Sequence, residues 1–133
     1  MNNYLNILKK LNSKAFNNGD VPVSCIIIKN GKVISKAYNQ KYKNNNPFDH
    51  AEIIAIKNAC KKLKTYNLMD CIMITTLKPC KMCEEVIRES KINKVYYILD
   101  KTKIVNSKLD CIKMQINTDY FESELKQFFK DKR

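Results

Sequence analysis

Apolar residues recur along this chain at two spacings, and the switches between them outline its elements. Over residues 3–17, Leu5, Leu8, Leu11 and Ala15 fall near helical intervals with lysines between them, which predicts an amphipathic helix. Asn18-Gly19-Asp20 stops it. A β-rich run follows over 21–28, and Asn30-Gly31 is a two-residue hairpin signal between that run and 32–38. The polar stretch 40–49, with Asn44-Asn45-Asn46-Pro47 inside it, predicts a loop.

Helical spacing returns over 51–64, where Ile53, Ile54, Ile56, Ala59, Cys60 and Leu63 make one apolar side. The short β-branched run 71–77 predicts a buried strand, which Lys78-Pro79 breaks. Residues 80–90 predict another helix, 95–99 a strand, 101–108 a polar connection, 111–116 a last strand and 123–132 a closing helix. Strands alternating with helices after an initial hairpin predict an α/β layer fold whose sheet is parallel in its second half. The chain has 133 residues, no repeats and no linker, so a single domain over 1–133 is expected.

Composition narrows the class. No apolar stretch approaches the roughly 20 residues that cross a bilayer, and the start lacks the layout of a secretory signal. The expectation is a soluble, cytoplasmic protein. Six cysteines raise the thought of a disulfide scaffold, but Cys25, Cys60, Cys71 and Cys111 sit in apolar or helical contexts and read as core packing. Only Cys80 and Cys83 have metal-site spacing. Basic residues outnumber acidic ones by 25 to 13, a net charge of +12. Lysine in place of arginine suggests an AT-rich genome, yet that drift leaves the excess of cations unexplained. A polyanionic partner, RNA above all, is expected.

The candidate chemistry lies at two predicted helix starts. His50-Ala51-Glu52 stands where a loop becomes a helix, and Pro79-Cys80-Lys81-Met82-Cys83 where a strand becomes one. Two thiolates three residues apart on a first helical turn share a face and grip one ion, with the helix dipole favouring the thiolate form. His50, the only histidine, supplies a third ligand. Three protein ligands leave a fourth position open for water, which marks a catalytic rather than a structural zinc site. Glu52 is placed to move protons without binding the metal. Together, H-x-E and P-C-x-x-C form the signature of zinc deaminases. Alone, the C-x-x-C is equally at home in a dithiol redox protein or half of a structural zinc site.

Beyond that signature, the chain resembles the bacterial tRNA adenosine deaminases. The likeness runs through Gly19-Asp20-Val21-Pro22-Val23, Lys29-Asn30-Gly31-Lys32-Val33-Ile34, Asn39, both metal motifs, Ser90-Lys91-Ile92, Asp100 and Phe128-Phe129. It implies a cytidine-deaminase-like three-layer α/β/α sandwich with a central five-stranded mixed sheet, one Zn2+ per subunit, a homodimer, and deamination of the wobble adenosine in a tRNA anticodon stem-loop. It also implies roles: Asn39 recognises the flipped base, Val21 lines its pocket, Asp100 lies near the ribose, and Phe128 and Phe129 hold the splayed loop. Plainer alternatives stand beside these. Asn39 ends a strand, the phenylalanines fill core, and Asp100 caps a turn. Lys78 replaces the family's usual glutamate, Asp49 a usual small residue, and the stretch 100–111 is short and lacks glycine. Two rival functions remain open: a deaminase of a free nucleoside, nucleotide or base, and a non-catalytic zinc-stabilised RNA-binding module.

Overall fold

The hairpin signal at Asn30-Gly31 is realised first. In the computed structural model, which describes residues 2–101 and 107–131, β1 (Ser24–Lys29) and β2 (Lys32–Tyr38) pair antiparallel with Lys29 opposite Lys32. Asn30 and Gly31 both take positive φ, 51° and 77°, as a two-residue turn matched to strand twist requires. The remaining elements are α1 (Asn2–Asn17), α2 (Ala51–Leu63), β3 (Cys71–Leu77), α3 (Lys81–Ser90), β4 (Lys94–Leu99), β5 (Cys111–Lys113) and α4 (Asp119–Asp131). Among the described residues five strands form one mixed sheet in the order β2-β1-β3-β4-β5. β1 pairs antiparallel with β3, whereas β3–β4 and β4–β5 are parallel. The second half is therefore parallel, as expected from the strand–helix alternation.

Both sheet faces are covered. On one, Cys25, Ile27, Cys71, Met73 and Val95 pack with Ala51, Ala55 and Ala59 of α2 and Ile87 of α3. On the other, Ile26, Ile28, Ile74 and Ile98 pack with Leu8 and Leu11 of α1 and Phe121 and Leu125 of α4. This is the three-layer α/β/α sandwich. Two buried faces explain why β1 reads as unbroken apolar sequence rather than an alternation. Among the described residues, no helix is long and apolar enough to cross a membrane.

The structure corrects several boundaries and one face. Val21 to Val23 are not strand: Pro22 has no N–H to give a ladder, and the Val23 N–H bonds back to the Val21 carbonyl at 2.8 Å. Ser24 then joins β3 through the Thr76 hydroxyl, which accepts its N–H at 3.0 Å. The stripe of α2 that meets the sheet is Ala51, Ala55 and Ala59, with Ile56, while Ile53 and Ile54 are only half-buried. Small residues let the helix approach closely, so the larger isoleucines lie to the side. β5 is three residues long rather than six. Helix α4 begins at Asp119 rather than Ser123 because Asn117 Oδ1 accepts the Asp119 N–H at 2.9 Å and organises the first turn. The predicted polar stretch 101–108 is described only at 101, 107 and 108, and Lys132, the predicted helix end, lies outside the described residues.

With two glycines in the chain, helix ends fall to other residues. Lys64 and Lys91 close α2 and α3 in the left-handed region, at φ 55° and 66°, where a side chain costs about 1–2 kcal/mol. Lys91→Gly is expected to raise stability by about 0.5–1 kcal/mol after the loss of unfolded-state restriction. Gly31→Ala should lower it, through backbone strain alone, since a Cβ there meets nothing within 4 Å. Urea midpoints at constant m-value check both.

Candidate active site

Two helix N-termini meet at the carboxyl end of β3. His50 occupies the N-cap of α2 with extended backbone (φ −75°, ψ 149°), and Cys80 the N-cap of α3 (φ −71°, ψ 172°). Neither side chain caps its own helix, so both are left to face each other. Cys83, on the first turn of α3, is fully buried. His50 Nδ1 lies 3.7 Å from Cys80 Sγ and 3.5 Å from Cys83 Sγ. Those spacings suit zinc: bonds of about 2.1 Å to nitrogen and 2.3 Å to sulfur at a tetrahedral angle put the two donors about 3.5 Å apart. Among the described residues this is the one cluster of three or more such donors close enough to share an ion. The donor set is one imidazole and two sulfurs, a borderline-soft combination that favours zinc over harder cations.

Within the donor cluster, protons are unevenly held. Cys80 is held as thiolate, its pKa drawn down to about 4 by hydrogen bonds from Cys83 and then from His50. Cys83, the donor in that pair and deeply buried, is pushed up. His50 is raised, chiefly by its bond to Cys80, against the opposing effect of burial. Glu52, in the first turn of α2, is 4% exposed. Burial pushes its carboxyl up to about 7, with the Cys80 charge adding to the effect. A carboxyl tuned near neutrality is suited to taking a proton and giving it back.

These groups open onto a cavity of about 240 Å³ lined by Val21, Val23, Asn39, His50, Glu52, Leu77 and Cys80, with Asp20, Lys41 and Lys78 at its edge. Asn39 Oδ1 accepts the Ala51 N–H at 2.8 Å. That bond satisfies a first-turn donor of α2 and commits the carbonyl end, leaving the amide NH2 as the end available for recognition. Asn39 and Val21, expected at a base pocket, do line this cavity.

The other expected residues divide. Asp100 follows β4 and pairs with Lys78 at 3.9 Å, so it belongs to the rim and is absent from the cavity lining. Phe128 is buried, edge-on to Phe16 with ring centres 5.9 Å apart. Its ring also meets that of Phe129 edge-on, with centres 5.4 Å apart, so the expected aromatic pair is in contact and Phe128 is its covered member. Phe129 is half-exposed and lines a second groove of about 690 Å³ with Val21, Leu77, Lys101, Leu125, Lys126 and Lys130. Sequence reasoning missed Asp20, Lys41 and Leu77 as cavity residues, and missed the lysines of this groove. Asp20 carried a helix-stop signal and a place in the family likeness but no role, and a lysine gives no signal in a chain so rich in them.

The family model of the cytidine and deoxycytidylate deaminase zinc-binding region matches residues 1–99. The chain is 42% identical over 99 residues to the tRNA-specific adenosine deaminase of Aquifex aeolicus, a match covering 74% of this chain and 66% of that protein. It is 36% identical over 89 residues to the guanine deaminase of Bacillus subtilis, covering 67% and 57%. The matching part thus spans just under two thirds of the first relative and less of the second. A solved tRNA:A34 deaminase, described in a study of A-to-I editing at the wobble position of transfer RNA, superposes with a TM-score of 0.75. The identity there is 22%, over 85% of this chain and 98% of that one, a likeness of fold.

Metal analysis of purified variants checks the donor set. His50→Ala, Cys80→Ala and Cys83→Ala are each expected to lose the roughly one zinc per chain that the native protein retains. Glu52→Gln should keep it, because its carboxylate lies beside the donors and not among them. Zinc loss in Glu52→Gln alone would reassign the ligands.

Proposed function

The chain belongs to the cytidine and deoxycytidylate deaminase zinc-binding family, and from that premise we propose that it converts adenosine to inosine at the wobble position of a tRNA anticodon. The observation that carries this reading is that two spaces lie side by side. The small cavity beside Glu52 and the larger groove beside Phe129 share Val21 and Leu77 as a common wall. A flipped base fits the first. The second, with an exposed aromatic ring and Lys101, Lys126 and Lys130 on its rim, offers stacking and cations to neighbouring nucleotides. The relative named for tRNA-specific adenosine deamination supports the same substrate. A guanine deaminase also stands among the relatives, and a free base would fill the small cavity while leaving the groove unused.

In this reading His50, Cys80 and Cys83 hold zinc, which when bound supplies Lewis acidity and a water that ionises near neutral pH. Glu52 takes a proton from the attacking water and gives it to N1 of adenine as the bond from oxygen to C6 forms. It then passes the second proton to the amino group. The C6–N bond breaks, ammonia leaves, and C6 becomes a carbonyl. Asn39 holds the base edge with its free amide NH2, Val21 forms an apolar wall, and Asp100 lies toward the ribose. Phe129 stacks an adjoining base. The target must first leave its stack, which costs a few kcal/mol and least in an unpaired loop. The reading includes action in the cytoplasm as a homodimer, with partly exposed Ile53 on α2 as apolar surface for such pairing to cover.

Mass spectrometry tests it. Incubation with a wobble-adenosine anticodon stem-loop is expected to add about one dalton at that nucleotide, and Glu52→Gln to slow the reaction by about 10²–10⁴-fold. Turnover of guanine or free nucleosides, with the stem-loop untouched, would end the tRNA reading.

The two phenylalanines should separate. Phe129→Ala is expected to raise KM for the stem-loop by about 10-fold, the weight of one lost base stack, with an unchanged melting temperature. Phe128→Ala should instead cost about 3 kcal/mol of stability, read in urea.

A further inference from the structure

Two lysines edge the catalytic cavity, and they are not equivalent. Lys78 is compensated: its Nζ pairs with Asp100 at 3.9 Å and lies 5.5 Å from the centre of the Tyr97 ring. Lys41 is exposed and makes no ion pair among the described residues. It is therefore the uncompensated cation at the mouth of the cavity.

The backbone that carries Lys41 is unusually fixed for a polar loop. Gln40 N–H donates to the Asp49 carbonyl at 3.0 Å, and Asn46 N–H to the Lys41 carbonyl at 3.0 Å, so the loop between β2 and α2 closes on itself. Asn44 Nδ2 adds bonds to Gln40 Oε1 and Asp49 Oδ2. Asp20 then ties this closed loop to the end of the α1–β1 connection. Its Oδ1 accepts the Tyr42 N–H at 2.6 Å and its Oδ2 the Lys43 N–H at 3.2 Å. Asp20 is 3% exposed. Buried, charge-assisted bonds of this kind are among the stronger ones a chain makes, and they clasp the two residues immediately after Lys41.

A base entering the cavity leaves its flanking phosphates at the mouth, because the walls beside Glu52 are apolar or committed to the donor cluster. We propose that Lys41 contacts a backbone phosphate next to the target nucleotide, and that Asp20 is the positioning residue that presents it by clasping the Tyr42 and Lys43 amides. This rests on the nucleic-acid reading above and extends it. The cavity then selects a nucleotide within a chain over a free base, and the selection comes from a fixed cation rather than from contacts to the base.

The test is binding of a fluorescently labelled anticodon stem-loop to the zinc-loaded protein across a salt series, with native protein, Lys41→Met, Asp20→Asn and the double variant. Loss of one phosphate contact is expected to lower the magnitude of the slope of log K against log salt by about 0.7. Lys41→Met should weaken binding about 3–10-fold at low salt, the size of one lost phosphate contact. Asp20→Asn should produce the same change in slope with zinc content unaltered, and the double variant should be no worse than either single one. An unchanged slope in Lys41→Met overturns the phosphate contact. An unchanged slope in Asp20→Asn, or additive losses, overturns the positioning role. Should Asp20→Asn fail to fold, amide exchange in the native protein decides the clasp: Tyr42 and Lys43 amides exchanging as fast as open-loop amides overturn it, and slow exchange upholds it. Binding is read without turnover, so a protein that binds through Lys41 but leaves adenosine intact sinks the proposed function and not this contact.

Discussion

Three soft donor atoms on two helices must be brought within bonding reach of one ion while a carboxylate stays close and unbound. That demand sets the tolerances of the surrounding structure. His50 and Cys80 sit at helix N-caps, so their separation is fixed by how closely α2 and α3 approach the sheet. The alanine stripe Ala51, Ala55 and Ala59, with Ile56 beside it, sets that distance for α2. On α3 the buried Ile87 does the same work against Met73 and Val95. A bulkier residue at Ala55 would push His50 away from the thiols, and a shift of about 1 Å is enough to spoil a metal geometry.

Much of this was legible in the sequence because the chemistry is punctuated. H-x-E and P-C-x-x-C each fall at a change of hydrophobic spacing, so both the residues and their helix-start positions could be read off together. The order of strands and helices was legible for the same reason, and Asn30-Gly31 announced its turn. What the sequence obscured has definite physical causes. The apolar side of α2 was read as its isoleucines because size signals burial, whereas close helix–sheet approach selects the small residues. Val21-Pro22-Val23 has strand composition but no continuous ladder, and that irregularity is what lets Val21 reach the cavity. Phe128 and Phe129 touch edge-on, yet they differ in cover: Phe128 is buried against Phe16, while Phe129 is half-exposed along the groove. A resemblance that treats them as a pair cannot separate them. The Asp20 carboxylate accepts main-chain N–H groups from more than twenty residues along the chain, which no local pattern encodes.

Chemistry and selection are carried by different parts of the molecule. The proton-handling carboxylate and the donor cluster lie on helices packed against the core. In the proposed reading, the groups that distinguish one substrate from another lie on a loop, on the terminal helix α4 and on the ends of β3 and β4. Rigid elements hold geometry to the precision catalysis needs, while surface segments tolerate change. Relatives named as a tRNA-specific adenosine deaminase and as a guanine deaminase both match this chain.

The antiparallel seam between β1 and β3 has a consequence for how the protein is made. Cys25 lies opposite Thr75, so the first hairpin has no inner neighbour until the ribosome has synthesised β3, which begins more than forty residues after β1 ends. Cys80 and Cys83 come later still. A nascent chain therefore exposes a lone histidine and one unpaired sheet edge before any metal-binding centre can close, and capture of the ion must follow synthesis of α3 rather than guide the hairpin.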